Sequence, residues 1–259
     1  MLSKLLSSIV LLLLTLSSAW AEDAPPITTL LGAGIWSRPV HDGANTNQTV
    51  LIPVIRYYGQ PLFARTTFGV LEGGARTELL SGFTVGAQLA YEGGRDNTES
   101  DFLSTHNIPS FSPSLSWGLH AELEKKIGPM PVIALLRYRH DVDANRGAQT
   151  DLRLTAGIYS GGGFAAGIFA QTTWANTVAT QYYYGISQGQ SGTSGLTAFN
   201  PQSGPLFNAQ GLLWSYDLNL KWILLGSFES RQLRGDALDS PLIQVSTSHY
   251  ASLGVAYQF

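Results

Sequence analysis

The segment from Val245 to Phe259 alternates between apolar and polar side chains. Leu253, Val255, Tyr257 and Phe259 occupy its odd positions, whereas its even positions are mostly small or polar. Side chains of a β-strand point alternately to two faces, so this period of two predicts a strand with one apolar face. Such a strand ending in an aromatic residue is typical of the closing strand of an outer-membrane β-barrel. Val255, Tyr257 and Phe259 are therefore predicted to form the assembly signal.

Turn signals divide the rest of the chain into segments of about ten residues, with little helical periodicity and no linker between domains. We predict a single all-β domain, a closed antiparallel transmembrane β-barrel of about twelve strands. The predicted strands are 27–38, 48–58, 62–72, 74–81, 83–92, 113–127, 130–143, 149–160, 163–176, 206–218, 220–234 and 245–259.

The strand at 74–81 is predicted from the connections around it. Outer-membrane barrels alternate short periplasmic turns with longer outer loops. The longer connections are 39–47, 93–112, 144–148, 177–205 and 235–244, and the tight ones are 59–61, 81–82, 128–129 and 161–162. Without the strand at 74–81, the connection 93–112 would lie on the periplasmic side and the strand number would be odd. We therefore expect a small outer turn at Gly73.

The amino-terminal segment resembles a secretory signal peptide. Lys4 precedes an apolar run from Leu5 to Leu16, and Ala19-Trp20-Ala21 matches a small-residue cleavage site. The alternative, an uncleaved membrane anchor, needs about 20 apolar residues and is therefore disfavoured. We expect a signal peptide at 1–21 and the mature barrel at 22–259.

Composition excludes several classes of function. The chain has no cysteine, which leaves neither disulfides nor thiol chemistry. Its 15 basic and 18 acidic residues give a formal charge of −3, with no basic patch that would suggest nucleic acid. Charged residues make up only 13% and aromatic residues 11%, which fits a β-barrel with aromatic girdles in the outer membrane.

Charged residues in the predicted strands indicate which face points inward. Arg137 and Arg139 alternate with Leu136 and Tyr138, and an Arg facing lipid at the bilayer midplane costs about 2–4 kcal/mol. The charged face is therefore predicted to line the lumen. The predicted lumen cluster comprises His120, Glu122, Glu124, Arg137, Arg139, Asp141, Asp151 and Arg153.

Two interpretations of this cluster remain open. In the first, acids and bases pair across neighbouring strands, because unpaired ions are costly in a narrow interior. Arg137 and Arg139 would then pair with Glu122, Glu124 or Asp151. In the second, the charges line a selective pore, although a barrel of about twelve strands lies between side-chain-filled small barrels and open porins of about 16 or more strands.

The sequence gives little indication of a catalytic site. His249 and the serines around it alternate along one strand, so they face opposite sides and do not form a nucleophile–base pair. His140 and Asp141 are separated in the same way. Glu122 and Glu124 share a face, but neighbouring arginines are expected to neutralise them. We expect no enzyme activity, no cofactor and no metal site.

Two stretches in the longer loops carry a family resemblance. They are Tyr182-Tyr183-Tyr184-Gly185, and the run that contains Asp236, Asp239, Ser240 and Pro241. Together with Gly32-Ala33-Gly34, Gly94-Arg95-Asp96 and the Tyr257-Gln258-Phe259 ending, they resemble the MipA/OmpV family of outer-membrane proteins. The resemblance extends over nearly the whole mature chain.

The resemblance implies a non-enzymatic protein of the bacterial outer membrane. Members of the family are understood as scaffolds that link a lytic transglycosylase to a penicillin-binding protein during peptidoglycan assembly. The expected partners are therefore outer-membrane lipid and these two murein enzymes, with no nucleic acid. The alternatives from the residues themselves are a small-solute channel, suggested by the charged lumen, and a surface adhesin, suggested by the long outer loops.

Overall fold

Twelve antiparallel strands form a closed barrel in the computed structural model, which describes residues 29–67 and 69–259. Each strand pairs with the next along the chain, and β12 closes the barrel on β1. The strands are β1 Leu30–Pro39, β2 Asn47–Tyr58, β3 Leu62–Thr67, β4 Val70–Leu80, β5 Phe83–Glu92, β6 Ser114–Ile127, β7 Met130–Asp141, β8 Ala148–Gly161, β9 Phe164–Ala175, β10 Gly204–Asp217, β11 Trp222–Leu233 and β12 Thr247–Gln258. The predicted fold class and strand number are thus confirmed. The predicted signal peptide lies outside the described residues.

The wall of the barrel is apolar outside and largely polar inside. Leu119 and Leu136 point outward and are 56% and 50% exposed, whereas the adjacent His120 and Arg137 are buried in the interior. This arrangement suits a hydrocarbon surrounding, because closure of the barrel pairs the backbone N–H and C=O groups between strands. The alternation along the sequence therefore reflects a lipid face and a lumen face.

The connections alternate between two ends of the barrel. Tight turns at 59–61, 81–82, 128–129, 162–163 and 218–221 lie at one end. The connections of the other end are 40–46, the turn that includes Gly69, 93–113, 142–147, 176–203 and 234–246. In outer-membrane barrels the short turns face the periplasm and the longer loops face outward. We therefore call the second set the outer loops.

The outer loops contain the helices. These are α1 Asp101–Thr105, α2 Thr177–Tyr184, α3 Gln188–Ser194 and α4 Gly235–Leu238, with single 3-10 turns at Asn97–Glu99 and Ala144–Arg146. Among the described residues, no helix is long and apolar enough to cross a membrane. Asn176 caps α2 and Ser187 begins α3 with a capping box, so the local sequence specifies where both helices start.

The predicted outer turn at Gly73 is wrong. β3 ends at Thr67 and β4 begins at Val70, so the turn lies earlier and includes Gly69, whose φ is +78°. Gly73 and Gly74 instead lie within β4. A Cβ added to Gly74 would lie 2.0 Å from the carbonyl oxygen of Ala87 on β5, so this glycine allows two backbones to approach closely.

Two apolar clusters fill the ends of the interior. Near the short turns, Leu30, Val54, Ile223 and Ala256 are buried together. Beneath the outer loops, a larger cluster joins the barrel wall to α2 and α4, and it includes Phe169, Tyr184, Leu206, Phe207, Leu233 and Ala237. The loops are thus packed onto the barrel by an apolar core of their own.

Candidate functional site

Arg137 lies at the centre of a buried charge network inside the barrel. Its Nη1 is 2.8 Å from Glu72 Oε2 on β4, and its Nη2 is 2.9 Å from Asp151 Oδ2 on β8. Its Nε also donates to Asp151, at 3.0 Å. Glu72 and Asp151 are each only 1% exposed, so the side chains around them exclude water from both carboxylates.

The network continues on both sides of Arg137. Arg139 joins Asp151 at 3.3 Å and also pairs with Glu92 on β5. On the other side, Arg65 of β3 pairs with Glu72 and lies 3.1 Å from Glu122 Oε2 on β6. Consecutive ion pairs therefore join six strands, β3 to β8, across one side of the lumen.

Neutral side chains also donate hydrogen bonds to the buried carboxylates. Gln88 donates to Glu72 at 2.9 Å, and its own Oε1 lies 2.7 Å from His120 Nδ1. Thr173 donates to Asp151 at 2.7 Å. Taking an ion out of water costs several kcal/mol, and only good geometry with additional hydrogen bonds offsets that cost. The network therefore requires one register among the strands that carry it.

The structure places the predicted lumen residues as follows. His120, Arg137, Arg139, Asp141, Asp151 and Arg153 are buried inside, and Glu122 is partly buried there. Asp141 accepts a hydrogen bond from Ser114, and the Arg153 guanidinium lies 3.6 Å from the centre of the Phe169 ring. Glu124 is exposed near the short turns and takes no part in the network.

The predicted pairing of the two central arginines needs correction. Neither Arg137 nor Arg139 pairs with Glu122 or Glu124, and Asp151 is the one predicted partner that both contact. The other partners are Glu72 and Glu92, which sequence reasoning missed together with Arg65. A turn at Gly73 puts Glu72 at the end of the predicted strand 62–72 instead of on β4, so the sequence does not identify it as a partner.

Asp42 in the first outer loop joins the loops to the barrel. Its carboxylate accepts hydrogen bonds from Tyr184 in α2 at 3.0 Å and from Tyr250 on β12 at 2.7 Å. Arg231 on β11 lies 3.2 Å from the same carboxylate and also binds Glu229. Burial raises the pKa of Asp42, but Arg231 and the two hydroxyls outweigh this effect, so the pKa lies below its ordinary value.

The two loop stretches that carry the family resemblance contact each other. Ser240 Oγ donates to the carbonyl oxygen of Tyr184 at 2.6 Å. Gly185 ends α2, its N–H bonded to Gln181 at 2.9 Å, and Asp236 accepts from the backbone of Gln202 at 2.7 Å. Of the other residues in these two stretches, Tyr182 and Tyr183 pack on Phe111. The N–H of Asp239 bonds to the carbonyl oxygen of Asp236, and Pro241 is half-buried.

Next to Asp42, the buried His41 is sensitive to protonation. Its Nδ1 lies 3.0 Å from the carbonyl oxygen of Asp42, and its Nε2 is buried without a hydrogen-bond partner among the described residues. Burial lowers the pKa of His41 below its ordinary value, and the contact with Asp42 offsets only part of this effect. His41 therefore favours the neutral form within the folded loops.

The histidines considered for catalysis lie on the outer wall. His140 stacks on Trp117 with ring centres 5.6 Å apart, and His249 stacks on Phe228 at 5.7 Å. Within 29–67 and 69–259, no group of three histidines, aspartates or glutamates is arranged to hold a metal ion.

A closed barrel with an apolar wall and a charged interior defines an outer-membrane β-barrel protein. A solved outer membrane channel from Pseudomonas putida F1 is similar to it, with a TM-score of 0.47 and 9% identity over 94% of this chain and 100% of that chain. The β domain of the Bordetella autotransporter BrkA has a TM-score of 0.44 and 14% identity, over 90% of this chain and 100% of that one. The family model MltA-interacting protein MipA matches residues 31–259, and the chain belongs to this family.

Two curated relatives share part of the sequence. The MltA-interacting proteins of Escherichia coli (strain K12) and Shigella flexneri are each 28% identical over 103 residues. The alignment covers 39% of this chain and 40% of the length of each relative. The family and the fold together assign the protein to the bacterial outer membrane.

Proposed function

We propose that this barrel is a non-enzymatic interaction protein that holds a lytic transglycosylase, and with it a penicillin-binding murein synthase, at the inner side of the outer membrane. The observation that carries the proposal is the buried ion-pair network of the interior, in which Glu72 and Asp151 are each 1% exposed. Side chains that interlock across the lumen support a structural role more than conduction. The relatives named MltA-interacting protein provide the class of partner.

The outer loops support the same proposal. Asp42 ties the first outer loop to α2 and to β11 and β12, and Ser240 ties the last outer loop to α2. Loops fixed to one another over the lumen suit a closed barrel. The main alternative is a small-solute channel. Its solute would need a path past both the joined outer loops and the charge network.

The periplasmic end offers the surface for a murein enzyme. Leu220, at the tip of the β10–β11 turn, is 98% exposed, and Leu80 and Ile127 at two other short turns are 72% and 63% exposed. A stable interface buries about 800 Å² on each partner. One short turn is too small for that area, so the partner is expected to span several turns at this end.

Site-specific photocrosslinking in cells tests the proposal. A photoreactive residue at Leu220 is expected to capture the lytic transglycosylase, and the penicillin-binding protein is expected in the same complex. The matched control is the same residue at Gly189, which is exposed in α3 at the opposite end. Capture of the murein enzymes from Gly189 alone, or from neither position, would contradict the proposal.

Conductance measurements separate the scaffold from the channel. Purified barrel in planar bilayers is expected to give no steady ionic current. A steady current that changes when Arg137 is replaced by Gln would favour the channel instead, because Arg137 lies at the centre of the charged interior.

A further inference from the structure

The outer loops form an open cavity of about 650 Å³. The β5–β6 loop contributes Arg95 and Phe111 to its lining, and the β9–β10 loop contributes Gln181, Tyr182 and Asn200. Small-molecule sites in proteins typically measure about 300–1,000 Å³. Exposed residues such as Ser110 and Gln188 lie at its edge, so the cavity is accessible from outside.

Arg95 is a cation without a carboxylate partner at the wall of this cavity. Its Nη1 and Nη2 make long hydrogen bonds of 3.4 and 3.3 Å to the carbonyl oxygens of Tyr183 and Pro109, and its Nε is buried without an acceptor. The guanidinium lies 4.8 Å from the centre of the Phe111 ring, which holds it in place. Among the residues that the structure describes, Arg95 forms no ion pair.

An anionic ligand would supply the missing charge. Burying a cation without a counter-charge is unfavourable, and Arg95 is partly removed from water by the loops around it. The planar guanidinium matches a carboxylate, which accepts its donors through charge-assisted hydrogen bonds.

The rest of the lining indicates a ligand rich in hydroxyl groups. Gln181 and Asn200 bind each other through Nε2 and Oδ1 at 2.6 Å, which leaves the amide oxygen of one and the amide nitrogen of the other for a ligand. Amide groups both donate and accept, as sugar hydroxyls do. The rings of Phe111 and Tyr182 add apolar surface to the lining, which suits the C–H groups of a sugar ring.

We propose that this outer cavity binds a small acidic sugar, whose carboxylate pairs with Arg95 and whose hydroxyls bind Gln181 and Asn200. This site lies at the end of the barrel away from the short turns, and it does not depend on the proposed scaffold function. Binding there would be a recognition event at the cell surface.

Isothermal titration calorimetry of the full barrel in detergent micelles tests the proposal, with D-glucuronate as the probe and D-glucose as its uncharged counterpart. D-glucuronate is expected to bind and D-glucose to bind at least tenfold more weakly. Arg95→Gln is expected to weaken D-glucuronate binding by about tenfold or more, because it removes a charge-assisted hydrogen bond. Lys125→Gln removes an exposed cation at the opposite end and is expected to leave binding unchanged.

Three results would each overturn the proposal: no heat beyond that of empty micelles, equal affinity for both sugars, or wild-type affinity in Arg95→Gln. Gel mobility with and without heating establishes that each variant is folded. Should Arg95→Gln not fold, Asn200→Ala serves in its place, since Asn200 is exposed at the cavity and lies outside the packed core. Asn200→Ala is then expected to weaken D-glucuronate binding severalfold, and unchanged affinity would count against the site.

Discussion

Arg137 Nη1 lies 2.8 Å from Glu72 Oε2, although the two residues are 65 positions apart in the chain. The pair joins β7 to β4 across the inside of the barrel, with β5 and β6 between them in the wall. Because Glu72 also binds Arg65, one carboxylate holds two buried guanidiniums. Glu72 is therefore the position at which the charge network is most sensitive to substitution.

Glu72→Gln is expected to destabilise the barrel by about 3–5 kcal/mol, because removing one partner leaves two buried cations without full compensation. Urea unfolding in phospholipid vesicles, followed by tryptophan fluorescence, measures the change. Glu124→Gln is the matched control, since Glu124 is exposed at the short-turn end, and it should change stability by no more than about 0.5 kcal/mol. Equal unfolding midpoints for the two variants would refute the central role of Glu72.

Asp42→Asn is expected to loosen α2 while leaving the barrel intact. The substitution removes the charge that accepts hydrogen bonds from Tyr184 and Tyr250. Hydrogen bonds to charged groups contribute about 1.5–3 kcal/mol each, so amide hydrogen exchange in α2 should accelerate by about tenfold or more. Asp96→Asn removes an exposed carboxylate from another outer loop and should not affect α2. Unchanged amide hydrogen exchange in the Asp42 variant would show that other contacts hold α2 on the barrel.

Because His41 is buried in the neutral form, we expect the outer loops to lose stability in mild acid. Its pKa in the folded protein lies below the ordinary value of 6.5, so the unfolded loop takes up the proton first. Stability is then unaffected above about pH 6.5 and falls as the pH drops from there towards the folded pKa. Unfolding midpoints compared between about pH 7.5 and about pH 5 should show this fall in the wild type and a smaller one in His41→Gln. Parallel pH profiles would eliminate His41 as the cause.

The sequence alone predicts the wall of the barrel much better than its internal pairing. Arg137 could be placed inside because it alternates with Leu136, and lipid strongly disfavours an exposed charge. Its partner Glu72 could not be identified, because shifting a turn by a few residues changes which side chains of β4 face inward. The bond between Asp42 and Tyr184 spans 142 residues and connects two irregular loops, where no periodicity indicates a partner.

Gly32 provides a test of barrel closure. It lies on β1 opposite Ala256 of β12, and a Cβ added there would lie 2.0 Å from the carbonyl oxygen of Val255. Gly32→Val is therefore expected to force β1 and β12 apart, because backbone atoms cannot move aside as a flexible side chain does. The neighbouring Ala33 faces outward and is exposed, so Ala33→Val adds similar bulk without a clash and serves as the matched control.

Assembly of both variants is measured by their gel mobility with and without heating and by their yield in outer-membrane fractions. Gly32→Val should lose most of the folded, heat-sensitive form, whereas Ala33→Val should retain it. The two strands close the barrel, and an open edge would leave backbone groups unpaired in lipid, where each costs several kcal/mol. A wild-type yield of folded Gly32→Val would mean that β1 and β12 tolerate a wider separation than their register implies.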